Sequence, residues 1–270
     1  MPRYEEFEPV QRPEDFDEAA YLTKKINDVK RAYVKRLEYI DSLNNATMQK
    51  ICLFSLIDSL AQEWGRYSKG NNKNTFCNFI HTFQNLYSYL DYIEPVTLFY
   101  RVENTIGGTA QSTEVPADPF GILEEMEIDE AFPITRLINS DYVQKVQNYV
   151  HNIFEQNREE KLLKDHTILS LLYQLRNKAT HELNDIGAEN FFEKEIGLQE
   201  PYYRMIENID LANGRRYQQV ELVIPVIFLR NVFINCLDNF LKFCKENNRL
   251  PFINEYGRTV LWLTWYDSFA

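Results

Sequence analysis

The sequence has little glycine, few cysteines and no long apolar run, and each scarcity excludes a class of protein. Nine glycines in 270 residues leave few positions for the tight turns of all-β folds. The four cysteines include no Cys-x-x-Cys pair and no histidine at metal-ligand spacing, so neither a zinc site nor a disulfide framework is predicted. The longest apolar run, Leu222 to Leu229, is too short to span a bilayer, and the acidic N-terminus lacks the apolar core of a signal peptide. We therefore expect a cytoplasmic protein with no membrane segment.

The chain is instead rich in aromatic side chains. It contains 17 Tyr and 18 Phe, with 44% apolar and 26% charged residues. These values are typical of a folded globular protein, and abundant aromatics with little glycine favour packed helices. The length is compatible with one large domain, so we expect a single helical domain over residues 1–270.

Apolar residues recur at spacings of three and four, which predicts an all-α bundle of about six main helices. A short strand is also predicted near residues 217–224, where apolar and polar residues alternate. The expected helices are Ala19 to Ile40, Met48 to Trp64, Phe76 to Leu90, Tyr142 to Ile153, a helix capped by Asp165 that continues to about Asn184, and Pro225 to Cys244.

Acidic residues are concentrated in one part of the chain. The net charge of −11 argues against a protein that coats nucleic acid through bulk attraction. Residues 91–141 contain eleven acidic residues and two basic ones, whereas residues 155–182 contain five of each. Within the acidic part, residues 104–133 combine glycines, prolines and carboxylates, which predicts an inserted acidic loop, partly disordered. A polyanion would approach the neutral segment most easily.

One constellation in that neutral segment suits phosphodiester chemistry. The sequence lacks a glycine-rich phosphate loop, a Gly-x-Ser-x-Gly elbow and a His-Glu-x-x-His motif. It does contain Arg176-Asn177 followed by His181 near the end of an apolar helix. A guanidinium binds phosphate oxygens, and imidazole transfers protons near neutral pH, so the set suits RNA cleavage by the ribose 2'-hydroxyl. Asn177 lies one helical turn before His181, where it would orient the imidazole or bind phosphate.

A structural interpretation of the same residues stays open. Composition alone gives roughly 0.2 such Arg–His pairs by chance. In that interpretation, Arg176 pairs with a surface acid and His181 stabilises a helix C-terminus. Asp58 and Glu63 would be able to hold Arg176, but a solvated helix face is the favoured interpretation.

Two other charged features are interpreted as structural. His166 is expected in the first turn of the motif helix, without a role in a site. The basic run from Lys161 to Lys164 would be able to contact an RNA backbone, but such runs usually serve solubility.

The motif in its helical context resembles that of the HEPN superfamily (higher eukaryotes and prokaryotes nucleotide-binding domains). Arg176, Asn177 and His181 match the superfamily's Arg, the polar residue after it and the His. The resemblance implies a metal-independent endoribonuclease without a cofactor, usually a homodimer, that serves as a toxin or phage-defence effector. Leu183 stands where toxins silenced by adenylylation carry a Tyr, so that form of control is not expected, although another antitoxin or a sensor protein is a possible partner.

Two rival functions stay open. One is a catalytically inactive HEPN-like module that binds a nucleotide, RNA or a protein. The other is a helical interaction module whose acidic segment, residues 91–141, binds a basic partner or masks the cleft.

Overall fold

The computed structural model of the protein describes residues 17–65, 72–106, 115–116, 118–125, 131–178, 198–209 and 216–252. These residues form ten α-helices and one three-stranded sheet, so the predicted helical fold with a short strand is confirmed. None of the helices in these ranges is long and apolar enough to cross a membrane.

The helices are α1 (Glu18–Asp41), α2 (Ala46–Gly65), α3 (Asn72–Phe83), α4 (Pro95–Ile106), α5 (Pro119–Glu125), α6 (Ile134–Ile138), α7 (Tyr142–Ile153), α8 (Gln156–Asp165), α9 (Ile168–Asn177) and α10 (Val226–Glu246). A 3-10 helix lies at Ser88–Asp91. The strands are β1 (Phe132–Pro133), β2 (Tyr202–Ile209) and β3 (Arg216–Val223).

The chain divides into two compact units, and the division falls within α1 and within α10. The smaller unit contains residues 17–34 and 240–252 of the described chain, and the larger contains residues 35–239. In the smaller unit, the ring of Tyr33 lies 5.7 Å from that of Phe252. The apolar stripe predicted for this part of α1 is buried at Leu22, Ile26, Val29 and Tyr33.

In the larger unit, α2 and α3 pack against each other through aromatic side chains. The ring of Trp64 lies 6.3 Å from that of Phe79 and 6.0 Å from that of Phe83. At the end of α2, a Cβ on Gly65 would lie only 2.6 Å from Cγ2 of Thr75, so glycine permits this close approach. α2 and α3 are therefore packed side by side.

α3 ends earlier than its apolar pattern predicts. The expected helix continues to Leu90, whereas the observed one ends at Phe83. The side chain of Gln84 donates to the carbonyl of Tyr87 at 2.8 Å and accepts from its N–H at 3.0 Å. This side chain satisfies backbone groups that a continued helix would pair internally, and the chain turns there.

No helix is predicted from the sequence at the position of α4. Pro95 is the first residue of the helix, a position where proline is well tolerated. The fully buried carboxylate of Glu94 accepts from the N–H groups of Val96 at 2.9 Å and Thr97 at 2.8 Å. It also accepts hydrogen bonds from the hydroxyls of Thr97 and Tyr203. Glu94 therefore caps α4 and connects it to β2.

The sheet explains why the predicted strand forms. β3, at residues 216–223, confirms the expected strand, and β2 pairs with it antiparallel over its whole length, Tyr202 opposite Val223. The sequence analysis did not predict β2. β1 extends the sheet by pairing Phe132 with Tyr203.

The described part of the acidic insertion, residues 104–133, is structured. It includes the end of α4, helix α5 and strand β1, with Leu123 and Phe132 buried. These residues correct the expectation of a loop at their positions. The glycine pair and most of the acidic run, in residues 107–114, 117 and 126–130, lie outside the described residues.

Candidate functional site

The motif helix, α9, begins two residues later than expected. Thr167 is its N-cap, because the hydroxyl of Thr167 accepts a hydrogen bond from the N–H of Ser170 at 3.1 Å. The prediction of Asp165 as the cap is wrong, since Asp165 is the last residue of α8. Its carboxylate instead forms an ion pair with Lys73 of α3 at 2.6 Å.

Backbone hydrogen bonds fix the start of α9 against the segment that precedes α4. The N–H of Glu94 donates to the carbonyl of His166 at 2.9 Å, and the N–H of Ile168 donates to that of Tyr92 at 3.0 Å. These two bonds form an isolated antiparallel bridge on either side of Thr167. The position of α9 is therefore set by its first residues, while Arg176 and Asn177 lie at its far end.

Arg176 donates hydrogen bonds to side chains within the fold. One terminal nitrogen, Nη2, donates to Asp58 Oδ2 at 2.6 Å, and the other, Nη1, donates to Asn177 Oδ1 at 2.8 Å. The side chains of Arg176 and Asp58 are only 13% and 22% exposed. The interpretation of Asp58 as part of a solvated helix face is therefore wrong. It is also wrong for Glu63, which is 2% exposed.

The bond from Arg176 determines how the Asn177 amide is oriented. Because a guanidinium only donates, the atom of Asn177 that faces it must be the carbonyl oxygen. The amide nitrogen of Asn177 is thus left as a donor for another group. Asn177 also lines a surface pocket, so the motif contributes a positioned donor there.

This pocket, which we call the basic pocket, has a volume of about 620 Å³ and lies between α3, α4, α8 and α9. Among the described residues that line it, Asp165 is the only acid. Its basic residues are Lys73, Arg101, Arg158 and Lys161. Since the whole chain has a net charge of −11, this local excess of positive charge is opposite in sign to the average.

Three of these cations have no carboxylate partner among the residues that the structure describes. The charge of Lys73 is compensated by Asp165, whereas Arg101, Arg158 and Lys161 are exposed and form no ion pair there. The guanidinium of Arg158 lies 4.5 Å from the ring centroid of Phe154, which supports its position from one side. The pocket thus presents three charges that solvent or a bound anion must compensate.

His166 also lines the basic pocket and is not in the motif helix, contrary to its predicted position. Its Nδ1 lies 2.7 Å from the carbonyl oxygen of Leu162, so Nδ1 carries a hydrogen and donates. In the neutral ring, Nε2 then carries the lone pair.

The three unpaired cations of the pocket were not predicted as a group from the sequence. The run containing Lys161 was interpreted as serving solubility, and Arg101 and Arg158 had no predicted role. The sequence feature that indicated a cationic surface was the balanced charge of residues 155–182, which differs from the acidic remainder of the chain. Arg101 lies far from that segment in the chain, so only the packing of α4 against its neighbours brings it there.

The thiol of Cys77 contacts the motif helix. Its Sγ lies 3.9 Å from the carbonyl oxygen of Leu169, and burial raises its pKa to about 11. The thiol therefore stays protonated near neutral pH and is a poor nucleophile.

His181 and Leu183 lie outside the described residues. Among the residues that are described, no group of three or more His, Cys, Asp or Glu side chains is arranged to hold a metal ion. Comparison with known proteins identifies no matching family model, no similar curated protein and no similar solved structure.

Proposed function

We propose that the chain is a metal-independent endoribonuclease of HEPN type that binds RNA at the basic pocket. The observation that carries the proposal is the position of Asn177, which accepts a hydrogen bond from Arg176 and also lines the pocket. Two residues of the motif are thereby connected to a surface with the charge and donors that an RNA backbone requires. The proposed biological role is that of a cytoplasmic toxin or phage-defence effector.

In the proposed reaction, the ribose 2'-oxygen attacks the adjacent phosphorus while its proton is transferred to a base. The bond from phosphorus to the 5'-oxygen breaks, and that oxygen receives a proton. The products are a 2',3'-cyclic phosphate and a 5'-hydroxyl. Arg176 and the amide of Asn177 stabilise the charge that develops on the phosphate oxygens, and His181 transfers the protons.

The proposal includes a homodimer in which both copies of the motif act in one cleft. Arg176 and His181 are five residues apart, and on one continuous helix this spacing would separate their side chains by about 140°. A second subunit would supply the group that one helix cannot bring to the same phosphate. An antitoxin or a sensor protein is proposed as the partner that controls the activity.

The rival function is a catalytically inactive HEPN-like module that binds RNA or a nucleotide. The observation that favours it is the ion pair of Arg176 with Asp58, both largely buried. A guanidinium whose charge is already compensated by a carboxylate stabilises the negative charge of a transition state less than an uncompensated one does. In this alternative the basic pocket binds the ligand, and no bond is broken.

Cleavage of end-labelled RNA by the purified full-length protein in the presence of EDTA tests the proposal. We expect products with 2',3'-cyclic phosphate ends and a loss of rate of about 100-fold or more in His181→Ala, because proton transfer commonly contributes that much. Arg176→Ala should also abolish most of the activity.

Matched variants distinguish the site from general damage. His81→Ala removes an exposed histidine that pairs with Asp91, and Arg230→Ala removes an arginine that pairs with Asp41, so both should cleave at the wild-type rate. His166→Ala tests the second histidine near the site. Loss of cleavage in His166→Ala with full activity in His181→Ala would assign proton transfer to His166 and contradict the proposed role of His181. Absence of cleavage by folded wild-type protein that still binds RNA would favour the binding module.

A further inference from the structure

We infer that Arg101, Arg158 and Lys161 form a phosphate-binding subsite for a nucleotide phosphate ester on the part of the basic pocket that α4 and α8 contribute. These residues come from α4 and α8, whereas the motif belongs to α9. The inference rests on the proposed function, because it assigns the surface that holds the RNA backbone. No residue of the subsite belongs to the Arg176–His181 motif.

The first support is the local charge. Three cations without a carboxylate partner in the described chain converge on one concave surface of a protein whose net charge is −11. Like charges brought together repel, and the described part of the pocket contains one carboxylate, Asp165, which Lys73 already compensates. An anion in the pocket would relieve this repulsion.

The second support is the position of Arg158 in its helix. Arg158 is the third residue of α8, in its first turn. The positive end of the helix dipole disfavours a cation there, and acidic residues are preferred at that place. Arg158 therefore adds to the positive potential at the start of α8, and Glu159 in the same turn, whose carboxylate lies 3.0 Å from His151 Nδ1, offsets part of it.

The third support is the size and donor content of the pocket. A volume of about 620 Å³ lies within the range of roughly 300–1,000 Å³ that small ligands occupy. Guanidinium groups bind phosphate oxygens through two parallel hydrogen bonds, and the amides of Asn177 and Gln174 lie in the same lining. The pocket is thus large enough for a nucleotide unit, with the cations on its phosphate.

The decisive variant is Lys161→Glu, and Lys164→Glu is its control. Both lysines are exposed on α8 and the change in charge is the same, but Lys164 does not line the pocket. The probe is a fluorescein-labelled 2'-O-methyl RNA oligonucleotide, which lacks the attacking hydroxyl and so reports binding without cleavage. We expect affinity, measured by fluorescence anisotropy, to fall about tenfold or more in Lys161→Glu and less than threefold in Lys164→Glu.

Arg101→Glu provides an independent test from a second helix. If the three cations form one subsite, this variant should weaken binding as strongly as Lys161→Glu, and each should reduce the salt dependence of binding. Equal weakening by Lys161→Glu and Lys164→Glu would indicate bulk charge alone and overturn the inference.

Competition identifies the source of the phosphate. AMP, ADP and inorganic phosphate are added to the bound oligonucleotide, and displacement by a mononucleotide at micromolar concentration would assign the subsite to a free nucleotide. Displacement only by an unlabelled oligonucleotide would assign the subsite to an RNA strand. If neither the probe nor any of the competitors binds, the inference is overturned. Because the probe is not cleaved, binding lost in Lys161→Glu with no RNA cleavage by wild-type protein would contradict the proposed function and leave the subsite intact.

Discussion

At the scale of single residues, the contacts of Arg176 determine how the side chains of Arg176 and Asn177 are oriented. Asp58 Oδ1 is buried and accepts no hydrogen bond within the described residues, so the carboxylate depends on Arg176 for compensation. The same guanidinium holds the Asn177 amide with its nitrogen available as a donor. Asp58 therefore acts as a positioning residue for the motif as well as a structural partner.

Removal of Asp58 should destabilise the fold more than removal of an exposed partner. Asp58→Ala removes the carboxylate that lies 2.6 Å from the largely buried guanidinium of Arg176, and we expect a loss of about 2–3 kcal/mol in the free energy of unfolding in urea. Asp41→Ala breaks the more exposed pair with Arg230, where the side chains are 33% and 40% exposed, and should cost less than about 1 kcal/mol. Similar losses in the two variants would show that Arg176 does not depend on Asp58.

At the scale of helices and strands, the N-cap of α4 is the feature that the sequence pattern did not predict. Glutamate is not a preferred N-cap residue, and the proline after Glu94 is equally compatible with a helix end. What decides the matter is the burial of the carboxylate, which accepts from two backbone N–H groups and from the hydroxyl of Tyr203 on β2. The partner on β2 lies more than a hundred residues away, so no local pattern reports it.

Glu94→Ala should therefore destabilise the larger unit strongly. It removes the cap of α4 and leaves the buried Tyr203 hydroxyl without its acceptor, so we expect a loss of about 3 kcal/mol or more in the free energy of unfolding. Thr167→Ala removes the single side-chain bond that caps α9 and should cost about 1 kcal/mol. Urea denaturation followed by circular dichroism measures both, and a loss in Glu94→Ala no greater than in Thr167→Ala would contradict the structural role of Glu94.

At the scale of the larger unit, tyrosines that are buried or half-buried connect its stability to pH. Burial raises the pKa of Tyr100 to about 12, with the carboxylate of Asp118 adding to the effect. Burial and the nearby carboxylate of Glu94 raise the pKa of Tyr203 well above its ordinary value. Burial also raises the pKa of Tyr142. The folded unit therefore resists ionisation of phenols that ionise readily once the chain unfolds.

The free energy of unfolding of the larger unit should fall at alkaline pH. Below the unfolded tyrosine pKa of about 10, the phenols are neutral in both states and their contribution to stability is complete. As the pH rises above about 10, the unfolded chain loses protons that the folded chain retains, so the free energy of unfolding falls. Urea denaturation at about pH 8 and about pH 11, with phenolate absorbance recorded, should show this loss, and Tyr100→Phe should reduce its slope. An unchanged slope in Tyr100→Phe would exclude Tyr100 as a contributor.

The sequence by itself determined the helical character of this protein. Apolar spacing of three and four requires a buried stripe wherever a helix forms, so α1, α2, α7 and α10 were predicted close to their observed bounds. The strand at residues 216–223 was predicted for a similar reason, because alternation along a chain directs one face inward. The Arg176–Asn177–His181 motif was also visible in the sequence, because its spacing is local.

The tertiary structure alone decided which residues surround that motif. Lys73, Arg101 and Lys161 lie on three different helices, and they line one pocket only because α3 and α8 pack against α9 while α4 packs against α7. Asp58 became the partner of Arg176 in the same way, across 118 positions of sequence. Local periodicity specifies which face of a helix is buried but not which helix covers it, since that depends on the free energy of packing of the whole chain.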